Sequence, residues 1–153
     1  MLVCIPAYNG FDSVGRCLEA LATSRVTTPF RTLLINDASP DQRIRPLLDG
    51  YALAHADTHV RHNGSNRGFT WNVNQAFVAA GADQHLCLLN SDTLVTDGWL
   101  DAMLACLASD ATIGTITPFS NNATICSFPD FTRAWPVPER AERERIARAL
   151  RDT

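Results

Sequence analysis

An α/β fold, with a mostly parallel sheet covered by helices on both faces, is what this sequence predicts, and two features predict it. Short apolar runs alternate with stretches whose apolar residues recur at helical spacing. The runs are also apolar at every position rather than every second one, as strands buried on both faces require. At 153 residues the chain can bury the core of one domain.

Each element follows from local pattern. Leu2-Val3-Cys4-Ile5 is the first apolar run, and it opens into the tight polar turn Pro6-Ala7-Tyr8-Asn9-Gly10. Phe11, Val14, Leu18 and Leu21 then mark a helix with Asp12 in its first turn, where the helix dipole favours a carboxylate. Thr32-Leu33-Leu34-Ile35 is the second strand and ends in Asn36-Asp37-Ala38-Ser39. Ser39-Pro40-Asp41-Gln42 reads as a capping box, which predicts a helix starting there and turning Ile44, Leu47 and Leu48 to the sheet.

A weaker strand around Thr58 to Arg61 precedes the turn-rich loop His62 to Gly68, and Phe69, Val73, Phe77 and Val78 mark a helix that Gly81 ends. Leu86-Cys87-Leu88-Leu89 is the central strand and stops abruptly at Asn90-Ser91-Asp92. Leu100, Met103, Leu104 and Leu107 give a further helix, Ile113 to Pro118 a further strand, and Phe128 to Pro138 irregular extended chain. Glu139 to Asp152 is a charged helix with a narrow strip of Ile146, Ala149 and Leu150 and pairs such as Glu139 with Arg143.

Composition narrows the function. An apolar fraction of 46% and a charged fraction of 19% describe a globular chain without a disorder signature. A net charge of −3 supplies no basic face for nucleic acid. No Lys is present, which excludes Schiff-base and P-loop lysines as well as the Lys of a phosphoacceptor receiver. Cys4, Cys17, Cys87, Cys106 and Cys126 form no C-x-x-C pair, so they read as buried thiols in a reducing compartment, and the four histidines lack ligand spacing. The N-terminus has no signal-peptide pattern and no stretch approaches the roughly 20 apolar residues of a membrane span. The expected location is the cytoplasm, compatible with peripheral membrane association.

In a parallel sheet Asn9, Asp37, Asn66, Asp92 and Asn121 all fall at or just after strand ends, so they converge on the carboxyl edge, where open α/β sheets bind ligands. Two separated carboxylates, the aromatic Tyr8 and Gly-bearing loops suit a nucleotide. A hard cation such as Mg²⁺ or Mn²⁺ needs only one or two protein carboxylates when a diphosphate fills its shell, so Asp92 alone can suffice. Asn66 also reads as the N-cap of its helix, and Asn74 as a buried amide bracing the loops or a ligand contact.

Taken in order, Pro6-Ala7-Tyr8-Asn9, Asn36-Asp37-Ala38-Ser39, Asn66-Arg67-Gly68-Phe69 with Asn74, and Asn90-Ser91-Asp92 resemble the nucleotide-binding half of family 2 glycosyltransferases of the GT-A fold. The resemblance runs from about Leu2 to Pro129. It implies a Rossmann-like sheet of GT-A type, here incomplete, with Tyr8 stacking on a nucleobase, Asp37 bonding it and Asp92 holding the metal. It also implies nucleotide contacts from Pro6, Ala7, Asn9, Asn66, Gly68, Asn90 and Ser91. Two departures stand out: Asn90 occupies the first acidic position of the D-x-D-like motif, and Asn36 the first of a common acid pair.

The resemblance therefore implies residues 1–129 as a nucleotide-sugar-binding domain and 130–153 as the start of an acceptor-side region. The implied activity is inverting, metal-assisted transfer from a nucleotide-diphospho-sugar to a saccharide, lipid or protein acceptor. No residue of the chain is identified as the catalytic base, which is expected beyond Thr153; Asp97 and Asp130 have no spacing that favours them. The alternative is a non-catalytic or truncated nucleotide-sugar-binding module. A nucleotidyltransferase would need a basic, Gly-rich loop after the first strand, which Pro6 to Gly10 is not.

Overall fold

The structure, a computed structural model, describes residues 1–123, 125–130 and 133–151. Its elements run β1 (Leu2–Ala7), α1 (Phe11–Thr23), β2 (Arg31–Asn36), α2 (Ile44–Ala54), β3 (Thr58–His62), α3 (Phe69–Ala80), β4 (Leu86–Leu88), α4 (Trp99–Ser109) and α5 (Arg140–Arg151). The chain divides into two compact units, residues 1–23 with 29–95, and residues 24–28 with 96–153.

The first unit is the α/β layer structure the sequence predicts. All three strand pairs are parallel and the sheet order is β3-β2-β1-β4. The strand expected to be central, β4, thus lies at an edge of the sheet, and Leu88 is exposed because no further strand among the described residues covers it. Right-handed crossovers carry β1 to β2 to β3 in one direction and β3 back past β1 to β4 in the other, which puts α1 and α2 on one face and α3 on the opposite one. Accordingly α1 packs on α2, while α3 packs on β1 and β4. Leu2, Val3, Cys4 and Ile5 are buried because β1 is covered on both faces.

The α1 stripe is the expected one, with Val14, Leu18 and Leu21 buried and Cys17 beside them. In α2, Ile44 and Leu48 are fully buried, each contributing about 1.5–3 kcal/mol of hydrophobic stabilisation. The capping box does not form. Helix α2 begins at Ile44, the N–H of Arg43 donates to Asp41 Oδ1 at 3.0 Å, and the Ser39 hydroxyl accepts from Asn9 thirty residues away. Pro46 sits in the first turn, where its missing N–H has no intrahelical partner to lose.

Helix α3 also departs from its apolar pattern. Its buried face is Asn72, Ala76 and Ala80, while Phe69, Phe77 and Val78 are exposed. Small residues at this spacing let the helix axis approach the sheet, and Ala76 lies directly against Cys4 and Ile35. Asn74 is exposed; the buried amide is Asn72, two residues earlier.

In the second unit, segment 24–28 is held at the start of α4. Asp101 accepts from the N–H of Thr27 and Thr28 at 2.8 Å each, and Asp97 from the N–H of Arg25 at 2.9 Å. The Thr28 hydroxyl and the Thr27 N–H outweigh desolvation and hold the Asp101 carboxyl at about 2. Glu144 of α5 accepts from the Asp97 N–H at 3.0 Å, and Arg151 donates to the Asp97 carbonyl at 2.6 Å. Residues 113–118 form no strand, since extended chain needs a neighbouring edge for its backbone groups and the described residues of this unit offer only the isolated bridge Ser120–Ser127. The α5 pair is Arg145 with Glu142 at 2.6 Å rather than Arg143 with Glu139. Arg143 donates instead to the Pro138 carbonyl at 3.0 Å. The expected helix end at Asp152 lies outside the described residues.

Candidate functional site

Parallel strands place the exits of β1, β2, β3 and β4 on one edge of the first unit, carrying Tyr8 and Asn9, Asp37, Asn66, and Asn90 to Asp92 respectively. The topological switch lies between β1 and β4, the neighbours from which the chain departs in opposite directions. Asn121 belongs to the second unit, where its Nδ2 donates to the Trp135 carbonyl at 2.6 Å.

Pro6 explains why the β1–β4 ladder stops short at this switch. The β1–β4 ladder covers only Leu2 to Cys4, whereas β1 stays paired with β2 through Ala7. Backbone groups of alternate residues point to the same side, and the N–H of Leu2 and the carbonyl of Cys4 point to β4. Pro6 therefore faces β4 with no N–H to offer. The proline ends one ladder and spares the other.

Beyond Ala7 the chain turns sharply through Asn9 and Gly10, with φ of 57° and 69°. Asn tolerates this left-handed region better than other side-chain-bearing residues. Its N–H donates to Ser39 Oγ at 2.9 Å and its Oδ1 accepts from the Asp41 N–H at 3.1 Å, so the β1 exit is tied to the β2 exit. Tyr8 is left 51% exposed at the tip. Ala38 also sits in the left-handed region, with φ of 55°. That conformation costs about 1–2 kcal/mol, and the neighbouring Asn36 Oδ1 to Ser39 N–H bond of 3.0 Å helps to hold it.

Asp37 is 4% exposed, and the chain itself takes up its carboxylate. Asn63 Nδ2, the Arg67 N–H and the Gly68 N–H all donate to it at 2.8 Å. Burial works against the charge, but these donors outweigh it and keep the carboxyl below its ordinary range. The carboxylate thus lies at the N-terminus of α3, whose N-cap Gly68 has no side chain to cap with. Gly68 has φ of 80°, which favours glycine there, and Asn66 Oδ1 also accepts its N–H at 3.0 Å. Asn66 therefore closes a small turn two residues ahead of the N-cap position.

Behind Asp37 lies a chain of amides. Asn63 Nδ2 also donates to Asn72 Oδ1 at 2.8 Å, and Asn72 Nδ2 donates to the Gly68 carbonyl at 2.9 Å. Asn36 Nδ2 meets His62 Nδ1 at 3.2 Å, while His62 Nε2 meets Asp49 at 2.8 Å. The carboxylate accepts from Nε2–H, which leaves Nδ1 as the acceptor for Asn36. An acid in place of Asn36 would offer Nδ1 no proton. Asn63, Asn72 and His62 carry no sequence signal for these roles, because the side chains that join them lie 9 to 26 residues away.

Asp92 presents the opposite case. It is exposed after the turn closed by the Thr93 N–H to Asn90 carbonyl bond of 3.0 Å, and it has no hydrogen bond or ion pair among the described residues. Asn90 is exposed and Ser91 half-buried beside it. Burial first, with the nearby Asp92 charge adding to it, pushes the Cys17 thiol of α1 up to about 12, so this sulfur stays a neutral wall. No cluster of three His, Cys, Asp or Glu able to hold a metal occurs among the described residues. A cation at Asp92 would draw the rest of its shell from ligand oxygens and water, which suits hard oxygen-seeking ions.

A family model described as glycosyl transferase family 2 matches residues 2–150. Among solved structures, the chain is similar to the mannosyltransferase PcManGT from Pyrobaculum calidifontis in complex with GDP-Man and Mn²⁺, at 20% identity and a TM-score of 0.61 over 74% of this chain and 33% of that one. It is also similar to S. aureus TarS 1-349 in complex with UDP, at 19% identity and a TM-score of 0.58 over 78% of this chain and 38% of that one. The same protein in complex with UDP-GlcNAc matches at 18% identity and a TM-score of 0.55 over 78% of this chain and 37% of that one. The chain spans little more than a third of the length of these structures, and at such identities the likeness is one of fold. No curated protein matches it.

Proposed function

The chain belongs to glycosyl transferase family 2, and from that membership we propose that it carries the donor site of an enzyme transferring a sugar from a nucleotide-diphospho-sugar to an acceptor. The observation that carries the reading is the contrast between the two edge carboxylates. Asp37 is buried and spent on the chain, whereas Asp92 stands exposed at the switch point with no hydrogen bond or ion pair among the described residues.

In this reading the nucleobase lies by Tyr8 and the Asp37 loop, with Pro6, Ala7, Asn9, Asn66 and Gly68 shaping its bed. The diphosphate crosses to Asn90, Ser91 and Asp92. Asp92 would hold a Mg²⁺ or Mn²⁺ ion, with oxygens of Asn90 and Ser91 at hand, and such an ion neutralises charge on a departing diphosphate. The chain's own share is to stack, orient and hold the donor. Inversion at the anomeric carbon would need an acceptor hydroxyl in line and a base to take its proton. The structural neighbours crystallised with GDP-Man and Mn²⁺, UDP and UDP-GlcNAc support donors of this class.

Calorimetric titration of UDP and GDP, with Mn²⁺ and with chelator, tests the reading on the wild type and on Asp92→Ala. Metal-dependent binding that disappears in Asp92→Ala, with the circular dichroism spectrum unchanged, is expected. Equal affinity with and without chelator would remove Asp92 from metal binding.

A further inference from the structure

We propose a second ligand site in the same unit: the cavity between Arg61, Arg67 and Trp71 at the exit of β3 binds a phosphoryl oxyanion. The cavity has a volume of about 320 Å³ and is lined by these three residues together with His62, Asn63 and Ser65 among others. Both guanidinium carbons lie over the Trp71 ring, at 5.1 Å for Arg61 and 5.3 Å for Arg67. One indole thus organises two cations around one space.

Neither guanidinium meets a carboxylate among the described residues. Arg61 Nη1 is anchored by Gln75 Oε1 at 2.9 Å, a neutral acceptor that fixes the side chain and leaves its charge uncompensated. The ion pairs among the described residues involve other side chains, such as Arg25 with Asp97 and Arg43 with Asp41. The rest of the wall is rigid: His62 is held by Asp49 and Asn36, and Asn63 by Asp37 and Asn72. Ser65 adds a hydroxyl donor at the rim. Two planar forks and a hydroxyl-bearing residue, with the Asp37 carboxylate taken up by the Arg67 N–H and Asn63 and not by either guanidinium, match a tetrahedral group with several acceptor oxygens and more than one negative charge.

The site differs from the one assigned to the donor diphosphate. β3 is an outer strand of the sheet, and the β1/β4 switch point lies two and a half strand spacings away, roughly 12 Å at ~4.8 Å per strand. The ligand class is a phosphomonoester or inorganic phosphate, met either in solution or as a lipid headgroup.

The test uses the whole chain and its R61Q, R61Q/R67Q and R61K/R67K variants, with urea midpoints measured to show that all four fold. Inorganic phosphate and glycerol 1-phosphate are titrated by calorimetry, and co-sedimentation is measured with phosphatidylcholine vesicles with and without phosphatidic acid. Saturable phosphate binding is expected in the wild type, weakened at least tenfold in R61Q/R67Q and severalfold in R61K/R67K, which keeps the charge and loses the fork. UDP binding with Mn²⁺ stays unchanged in R61Q alone, whose side chain lies outside the residues assigned to the donor. Preference for glycerol 1-phosphate marks a soluble ligand, and binding only to phosphatidic acid vesicles marks a headgroup. No saturable binding in either arm, equal affinity in R61Q/R67Q, or displacement of phosphate by UDP in the wild type would overturn the proposal. Failure of UDP to bind any of the four proteins would count against the donor site alone, because the phosphate titration is read separately.

Discussion

Replacing Asp37 by Ala deletes the acceptor of three bonds of 2.8 Å, from Asn63 Nδ2 and the N–H groups of Arg67 and Gly68. Hydrogen bonds to a charged group contribute about 1.5–3 kcal/mol each, and water entering the vacated space recovers part of the loss. The expected cost is about 3–5 kcal/mol, among the largest that single substitutions produce. At a typical urea slope of about 2 kcal/mol per molar, the unfolding midpoint falls by roughly 2 M. Asp37→Asn keeps one acceptor oxygen but turns an NH₂ group on the remaining donors, so it loses part of the same stability. The pH dependence has a definite sign. The folded carboxyl titrates below its ordinary value, so its contribution is complete above that value and is lost as pH falls through the depressed one. The wild type should lose its advantage over Asp37→Asn only in that acid window. An Asp37→Ala midpoint within about 0.5 M of the wild type would refute the claim that this carboxylate organises the loop.

Thiol labelling offers an independent check of packing. With a chromogenic disulfide at pH 8, exposed Cys106 should react first and half-buried Cys126 more slowly. Cys4, Cys17 and Cys87 should wait for denaturant, since burial pushes them up to about 12, 12 and 11; more than two reactive thiols in the native chain would contradict the core. The chain alone is also expected to transfer no sugar from radiolabelled donors with Mn²⁺, whatever the acceptor, because no described residue is identified for general-base help worth about 10²–10⁴ in rate. Asp97 is occupied by Arg25 and Asp130 faces Arg133 at 3.6 Å, so transfer abolished by changing either acid would prove that expectation wrong.

The parallel sheet and the residues at its carboxyl edge were legible because they depend on local apolar runs and the stops that end them. Periodicity misled at α3, where Phe69, Phe77 and Val78 carry the strongest apolar signal and the close-packing Ala76 and Ala80 the weakest. The Ser39 capping box failed for a related reason. Its hydroxyl is more usefully employed by a distant backbone N–H, and no window of sequence contains that partner. Asp37 was recognisable as an edge residue, but its burial under the Asn63–Asn72 amides is a product of tertiary packing. Residues 113–118 have strand composition and no strand, since pairing belongs to two segments and composition to one.

The missing N–H of Pro6 has a dynamic consequence. β4 is joined to β1 over three residue pairs, and its other edge has no partner among the described residues, whereas β2 is paired with β1 along its full length and with β3 from Thr32 to Asn36. Native-state hydrogen exchange should therefore divide the edge: amides of β1 and β2 open only with the whole unit, while those of β4 open in smaller, cheaper fluctuations. Tyr8 rides on the slow side and Asp92 on the fast one. A molecule spanning both would bind the slow-exchanging strands to the fast one, so its arrival would be felt most in the protection of Leu86 to Leu89.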